Sequence, residues 1–236
     1  MEFADLEKNL GYSFKNKDLL EQALTHRSYL NENPNFRLDH NERLEFLGDA
    51  VLELVVTEYL YKKYDDPEGE LTSYRAALVN YRTLGERASV LNVNDFLHLS
   101  VGEAKDGTGR ARLVILANAY EALVGALYLD AGYKACEKFI SANLLPELEN
   151  IIKNKLFLDP KSRLQEIVQD EMEETPQYKV IHEEGPDHNK KFTVAVFAGD
   201  NQLATGEGPS KQDAQVSAAE QALANQGWLE KNNLPL

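Results

Sequence analysis

The chain has 236 residues, 43% of them hydrophobic and 27% charged, which is typical of a soluble globular protein with room for two modest domains. The formal net charge of −14 argues against a partner whose surface is lined with phosphates. Secretion and membrane insertion are not expected, because the N-terminus lacks an apolar signal region and no stretch of about 18 residues is free of charge. The single Cys136 cannot form an internal disulfide, which fits a cytoplasmic location, and without a C-x-x-C pair we expect no zinc site.

Helical periodicity runs through the chain up to about residue 155. Turn residues such as Asp65-Asp66-Pro67 and Asp106-Gly107 separate the predicted elements. Residues 102–112 form a glycine-rich, partly basic loop without the spacing of a nucleotide-binding loop. We therefore expect it to contact a substrate backbone, with a plain connector as the alternative, and we expect no nucleotide cofactor. The predicted helices cover residues 4–10, 17–29, 40–64, 70–90, 93–98, 112–130 and 133–152.

Three acids share one stripe of the helix predicted over residues 40–64. The segment N-E-R-L-E-F-L-G-D (41–49) places Glu42, Glu45 and Asp49 at offsets of three and seven, within roughly 60° of one another around the helix axis. Apolar residues surround them, so we expect the acids to lie against a core surface. Stacked carboxylates repel one another, and a divalent cation relieves the repulsion. A solvated acidic stripe is the alternative.

The helix predicted over residues 112–130 carries a second pair of polar side chains. Its sequence V-I-L-A-N-A-Y-E-A-L-V-G-A-L-Y-L-D is nearly all apolar, which predicts a helix buried on all sides. Asn118 and Glu121 are three residues apart and lie on one face of it. A buried Glu is costly unless it is paired or bound to a metal. Glu121 therefore needs a partner, either a cation shared with the first acidic helix or an Arg.

The pattern changes after Asp159-Pro160, which marks a domain boundary. Short alternating strands follow a first helix, and Gly199-Asp200-Asn201 predicts a tight hairpin turn. The order α-β-β-β-α predicts a small sheet with both helices on one face. From residue 158 onward there are 7 Lys and Arg against 14 Asp and Glu, so any phosphate binding must depend on local patches. The predicted elements are helices at 161–172 and 211–226 and strands at 177–183, 192–198 and 202–205.

Four segments of the helical part resemble a known family. H-N-E-R-L-E-F-L-G-D-A-V-L is similar to the signature of the bacterial ribonuclease III family, and A-N-A-Y-E-A-L-V-G-A-L-Y-L-D resembles its second acidic motif. T-H-R-S-Y (25–29) and L-V-N-Y-R-T-L (78–84) resemble its connecting segments. The resemblance implies an all-α endonuclease domain over residues 1–156, followed over residues 159–228 by a small α+β double-stranded RNA-binding domain of order α-β-β-β-α.

The same resemblance implies roles for individual residues. Mg²⁺, with Mn²⁺ as a possible substitute, is the implied cofactor, and Phe46 is implied at a homodimer interface. The family pattern has an Asp where this chain has Asn118, which retains an oxygen ligand but removes a charge. The implied metal ligands are Glu45, Asp49, Asn118 and Glu121, and the implied catalytic residues are Asp49, Glu121 and the accessory Glu42.

The second half resembles a double-stranded RNA-binding domain in three segments: P-K-S-R-L-Q-E-I-V-Q (160–169), G-P-D-H-N-K-K-F (185–192) and G-E-G-P-S-K-Q-D-A-Q-V-S-A-A (206–219). Such domains read the A-form shape of RNA rather than its sequence. The chain departs from the family at Gln212 and Asp213, where further basic residues are usual, and we expect weaker electrostatic binding as a result. The RNA-contacting residues implied by the resemblance are Gln165, Glu166, Gln169, His188 and Lys211.

Together these features predict a homodimeric, metal-dependent endonuclease that hydrolyses double-stranded RNA, and the family resemblance implies 5′-phosphate and 3′-hydroxyl ends. The family implies that it processes ribosomal and other RNA precursors. Two alternatives remain at this point. In the first, Asn118 has disabled the metal site and the protein binds duplex RNA without cleaving it. The second is an all-helical di-metal oxidoreductase, but such sites use Glu-x-x-His pairs, and neither acidic helix has one.

Overall fold

The computed structural model describes residues 3–105, 109–186 and 190–225. The chain divides into two compact units, with the boundary between Ile151 and Ile152. The first is helical, and the second is a three-stranded sheet with two helices, which confirms the predicted fold class. The helices of the first unit are α1 (Ala4–Leu10), α2 (Lys17–Ala23), α3 (Arg27–Glu32), α4 (Glu42–Lys63), α5 (Glu68–Leu78), α6 (Tyr81–Val90), a short 3₁₀ helix (Val93–Phe96), α7 (Val101–Lys105), α8 (Gly109–Ala131), α9 (Tyr133–Asn143) and α10 (Glu147–Lys153), whose last residues extend past the boundary.

Three of the predicted helices are each broken into two. The helix predicted over 17–29 stops at Ala23, because Thr25 forms an isolated bridge with His98 and the His26 ring then caps α3. The helix predicted over 70–90 breaks where Asn80 accepts hydrogen bonds from the first amides of α6. The helix predicted over 133–152 breaks before Pro146, since a proline disfavours helical backbone in the residue that precedes it.

Helix α8 is the centre of the first unit, and α4 lies directly against it. Among the described residues, α8 is the one helix long and apolar enough to cross a membrane, and most of its apolar window is buried inside the unit, as in a core helix. The prediction that it is buried on all sides is wrong. Asn118 and Glu121 are only partly buried, and Tyr128 and Leu129 are exposed near its end.

The glycine-rich loop predicted over 102–112 is also shorter than expected, since α7 and the start of α8 occupy parts of it and residues 106–108 lie outside the described ranges.

The second unit is an antiparallel sheet in the order β1-β2-β3, with α11 and α12 packed on one face. A two-residue turn at Gly199 and Asp200 joins the second and third strands, because Ala198 pairs with Asn201. The core includes Leu164, Val168, inward-facing valines of β2 and a row of alanines. Small residues let the last helix approach the sheet closely: a Cβ added at Gly206 would lie 2.0 Å from the backbone nitrogen of Ala218. The elements are α11 (Pro160–Met172), β1 (Gln177–Glu184), β2 (Lys191–Ala198), β3 (Asn201–Gly208) and α12 (Lys211–Asn225).

Candidate active site

Two glycines bring the two acidic helices together. A Cβ added at Gly48 of α4 would lie 1.7 Å from the carbonyl oxygen of Glu121, and one added at Gly125 of α8 would lie 2.2 Å from the carbonyl oxygen of Leu44. At both positions the backbone of the opposite helix occupies the space of a side chain, so only glycine is accommodated. Because Gly48 directly precedes Asp49, this backbone contact brings the acids of α4 beside Glu121.

Burial and neighbouring charges shift the pKa values of two of these acids. Burial, together with the nearby charges of Asp49, Glu45 and Glu53, raises the pKa of Glu121 from 4.5 to about 7. Burial, and then Glu42 and Asp49, also raise the pKa of Glu45. Every charge that acts on Glu121 here is negative, so this face of the molecule favours a proton or a cation.

The acids differ in their exposure to solvent. Glu45 and Glu121 are partly buried, as expected of acids that lie against a core surface. That expectation is wrong for Glu42 and Asp49, which are exposed. The reason is helical geometry: both flank the contact with α8, and their side chains extend past it towards solvent.

The oxygen atoms on this face suit a hard divalent cation by their chemistry. Carboxylates from Glu45, Asp49 and Glu121 and the amide oxygen of Asn118 are the ligand types that Mg²⁺ and Ca²⁺ take. The described residues contain no group of three or more His, Cys, Asp or Glu side chains already drawn close enough to hold an ion. The donor types and the accumulated negative charge therefore fit a metal, while the side chains stand apart in this conformation.

A cleft of about 940 Å³ opens beside the acids. Glu42, Glu45 and Asn118 contribute to its walls, whereas Asp49 and Glu121 do not. Glu42 carries two basic neighbours, since its carboxylate lies 3.6 Å from the Arg27 guanidinium and 3.8 Å from the His40 ring. The other lining residues are His26, Arg27, Ser28, Asn31, Asn41, Glu103, Arg110, Ala111, Val114 and Ile115.

Three residues of this region were not predicted from the sequence. Glu53 continues the acidic stripe four residues after Asp49, and that spacing was a visible signal. His26 and Arg27 belong to the T-H-R-S-Y segment, whose resemblance to a family connecting segment implies no role for either side chain. The structure brings them to the cleft through the pairing of Thr25 with His98, a contact that the periodicity of the sequence does not reveal.

Comparison with known proteins identifies the family. Residues 16–148 match the model of a family described as ribonuclease-III-like, and residues 160–226 match the double-stranded RNA binding motif. This chain belongs to the ribonuclease III family. Ribonuclease 3 of Bdellovibrio bacteriovorus is 46% identical to it over 220 residues, which cover 92% of this chain and 93% of that protein. Ribonuclease 3 of Oceanobacillus iheyensis is 45% identical over 224 residues, 94% of this chain and 97% of the relative.

A solved nuclease domain has the same fold. A structure of the nuclease domain of ribonuclease III from Campylobacter jejuni superposes with a TM-score of 0.53 at 43% identity, and the match covers 60% of this chain and 98% of that one. That domain shows structural flexibility in a region involved in dimer formation. Proteins of the ribonuclease III family depend on a metal ion, in agreement with the acidic face described above.

One face of α4 presents large apolar side chains to solvent. Phe46, Leu54 and Tyr61 are 82%, 57% and 79% exposed. Their offsets of eight and fifteen residues place them within about 80° of one another around the helix. The unit's own core covers none of them, so Phe46 is free to contact a second molecule.

The candidate RNA-reading residues of the second unit lie at its surface. Gln165, Glu166 and Gln169 are all exposed on α11 and line a shallow groove of about 530 Å³. The Lys155 ammonium donates a hydrogen bond of 2.9 Å to the Glu166 carboxylate. His188 lies outside the described residues.

Lys211 is exposed at the first turn of α12, and the structure explains one departure from the family pattern beside it. The Ser210 hydroxyl accepts a hydrogen bond of 3.1 Å from the Asp213 backbone and donates one of 2.6 Å to the Asp213 carboxylate. This reciprocal pair caps the helix. Asp213, where the resemblance led us to expect a basic residue, therefore serves to begin α12.

Proposed function

We propose that this chain is a homodimeric, Mg²⁺-dependent endoribonuclease that cleaves double-stranded RNA and leaves 5′-phosphate and 3′-hydroxyl ends. One observation carries the proposal: α4 and α8 cross at Gly48 and Gly125, and the crossing joins acids from both helices in one electronegative face. The match of both units to the family models supports the same substrate.

In this proposal Glu45, Asp49, Asn118 and Glu121 hold the metal, through three carboxylates and one amide oxygen. A Mg²⁺ ion held by these ligands would supply an activated water and would neutralise charge on the departing 3′ oxygen. Asp49 and Glu121 are the catalytic acids, and their mutual repulsion gives this face its affinity for cations. No serine or cysteine nucleophile is needed.

Glu42 has an accessory role in this scheme. Because its carboxylate lies beside Arg27, which also lines the cleft, we expect it to hold this basic group at the cleft's edge. A phosphate backbone that enters the cleft then meets a basic side chain before it reaches the acids, which lowers the repulsion between RNA and enzyme.

The second unit supplies affinity for the duplex. Gln165, Glu166 and Gln169 on α11, His188 and Lys211 contact the minor grooves and the phosphates between them in this proposal. Contacts of this kind read the shape of A-form RNA and its 2′-hydroxyl groups. The enzyme is accordingly selective for duplex over single-stranded RNA, and its natural substrates are base-paired regions of ribosomal and other precursor RNAs.

The exposed apolar stripe of α4 supports the homodimer. Phe46 would be costly to leave in water, and a second copy of the same stripe is a self-complementary partner. Two copies bring two acidic faces to one duplex, so each strand is cut by a different subunit. A cytoplasmic location completes the proposal, in line with the single buried and reduced Cys136.

A cleavage assay tests the proposal. A labelled duplex of random sequence and its separated strands are incubated with the full chain in Mg²⁺, with parallel samples in EDTA. We expect the duplex to be cut only with Mg²⁺ and the single strands to stay intact. We also expect a phosphatase to release phosphate from the new 5′ ends of the products. Duplex binding without any cleavage would replace the enzyme by a non-cleaving RNA-binding protein.

A further inference from the structure

Lys211, the residue placed to bind RNA phosphate, already has an anionic partner within its own domain. Its ammonium lies 3.1 Å from a carboxylate oxygen of Glu183, in strand β1. The same ammonium is 5.5 Å from the centre of the Phe192 ring, on the neighbouring strand. Glu183 and Phe192 are direct cross-strand partners, so the sheet fixes both groups beneath the lysine.

Glu183 contacts a second basic residue with its other oxygen. Lys190, next to the loop that joins β1 to β2, lies 3.7 Å from it. Both lysines border segments that resemble RNA-contacting motifs, one at the end of the strand-connecting loop and one at the start of α12. Glu183 therefore lies between the two places where the phosphate backbone is expected to approach.

We propose that Glu183 is an intramolecular competitor of the RNA backbone that limits the affinity of this domain for duplex RNA by holding Lys211. The inference rests on the proposed function. A phosphate that approaches Lys211 meets the Glu183 carboxylate within a few ångströms of the same ammonium, and two like charges at that separation repel each other. To bind, the phosphate must displace the carboxylate or share the lysine with it.

The exposure of the pair favours exchange of partners over a fixed structural bridge. The Lys211 side chain is 58% exposed and that of Glu183 is 37% exposed. Exposed ion pairs contribute little to stability, and a phosphate offers a stronger partner. The same arrangement recurs nearby, where Lys191 lies 2.6 Å from Glu207 across strands β2 and β3. Some of the excess carboxylates of this unit thus contact its lysines directly.

Equilibrium binding to duplex RNA tests the inference, with the full chain in EDTA so that no cleavage occurs. We expect Glu183→Gln to bind on the order of three- to tenfold more tightly than wild type at low salt. The salt dependence should also become steeper, because the released Lys211 neutralises one more phosphate. Glu220→Gln, an exposed residue nine positions along α12 and so on the opposite side of that helix, removes the same charge from the same domain and should change the affinity by less than about twofold.

A double-mutant cycle establishes the route. In a Lys211→Gln background, Glu183→Gln should lose most of its effect, because the lysine it holds is gone. Unchanged or weaker binding by Glu183→Gln, an equal gain from Glu220→Gln, or a full gain in the Lys211→Gln background would each overturn the inference while leaving the proposed function intact. A wild-type chain that binds no duplex RNA at low salt would overturn both.

Discussion

Replacing Glu121 with Gln should abolish cleavage and, in the absence of metal, stabilise the fold. The amide keeps the shape of the carboxylate and removes its charge from a partly buried position surrounded by acids. In the folded chain the pKa of Glu121 is about 7, against 4.5 for an ordinary Glu. An acid whose folded pKa is raised binds more protons when folded than when unfolded between these two values, so it lowers stability as the pH rises through them.

The size of this effect follows from the same values. A pKa raised from 4.5 to about 7 lowers the free energy of unfolding above pH 7, by roughly 2 to 3 kcal/mol once solvent screening of this partly exposed carboxylate is allowed for. Below pH 4.5 the effect almost disappears. Glu121→Gln should therefore melt several degrees higher than wild type at pH 8 in EDTA. Most of this difference in melting temperature should vanish at pH 4.5, where the wild-type carboxyl is protonated and therefore neutral, like the amide.

Thermal melts across pH in EDTA measure the difference, and duplex cleavage in Mg²⁺ measures activity. Glu58→Gln is the control, on the same helix α4. Hydrogen bonds from Lys62 and Tyr133 lower the pKa of Glu58, whereas the pKa of Glu121 is raised. The contribution of Glu58 has the opposite sign, so its Gln variant should melt no higher than wild type at pH 8. A Glu121→Gln protein that gains no stability at pH 8, or gains equally at pH 4.5, would refute the electrostatic account of this site.

Three further changes test other parts of the account. Asn118→Asp should lower the Mg²⁺ concentration that half-saturates cleavage, since it restores a negative ligand, and an unchanged or higher value would show that the site lacks no charge. Gly48→Ala should destabilise the fold by about 3 kcal/mol or more in denaturant melts, because its Cβ would lie 1.7 Å from the Glu121 carbonyl oxygen. Gly69→Ala on α5, where nothing lies within 4 Å, is the matched control and should be neutral or stabilising. Phe46→Ala should weaken dimerisation in sedimentation experiments, and dimers as stable as wild type would remove Phe46 from the interface.

The acidic residues of the candidate site could be picked out from the sequence because helical spacing alone places them on one face. Glu42, Glu45 and Asp49 needed only the period of a helix, and Glu121 needed only its apolar surroundings. What periodicity does not contain is the contact between distant segments. Gly48 stands inside the recognised signature, yet its role depends on the backbone of α8 more than 70 residues away.

The helix breaks and the wall of the cleft were missed for a related reason. Leu24 to His26 is helical by pattern, but a bridge to His98 competes with the helix and turns the chain. Asn80 ends one helix and caps the next through its side chain. This role cannot be predicted from a polar residue in the middle of a helical pattern. The exposed side of α8 was missed because an apolar sequence does not show which of its residues a neighbouring helix leaves uncovered.

The position of a bound metal tests the central claim most directly. Crystals of the full chain grown with Mn²⁺, which is a possible substitute for Mg²⁺, would locate the ion by its anomalous scattering. We predict an ion held jointly by carboxylate oxygens of α4 and α8, with Glu121 among its ligands and Glu45 or Asp49 opposite. An ion bound elsewhere, or no ion on this face in crystals of a protein that cleaves duplex RNA in Mn²⁺, would contradict the claim that the acids of the two helices form one catalytic metal site.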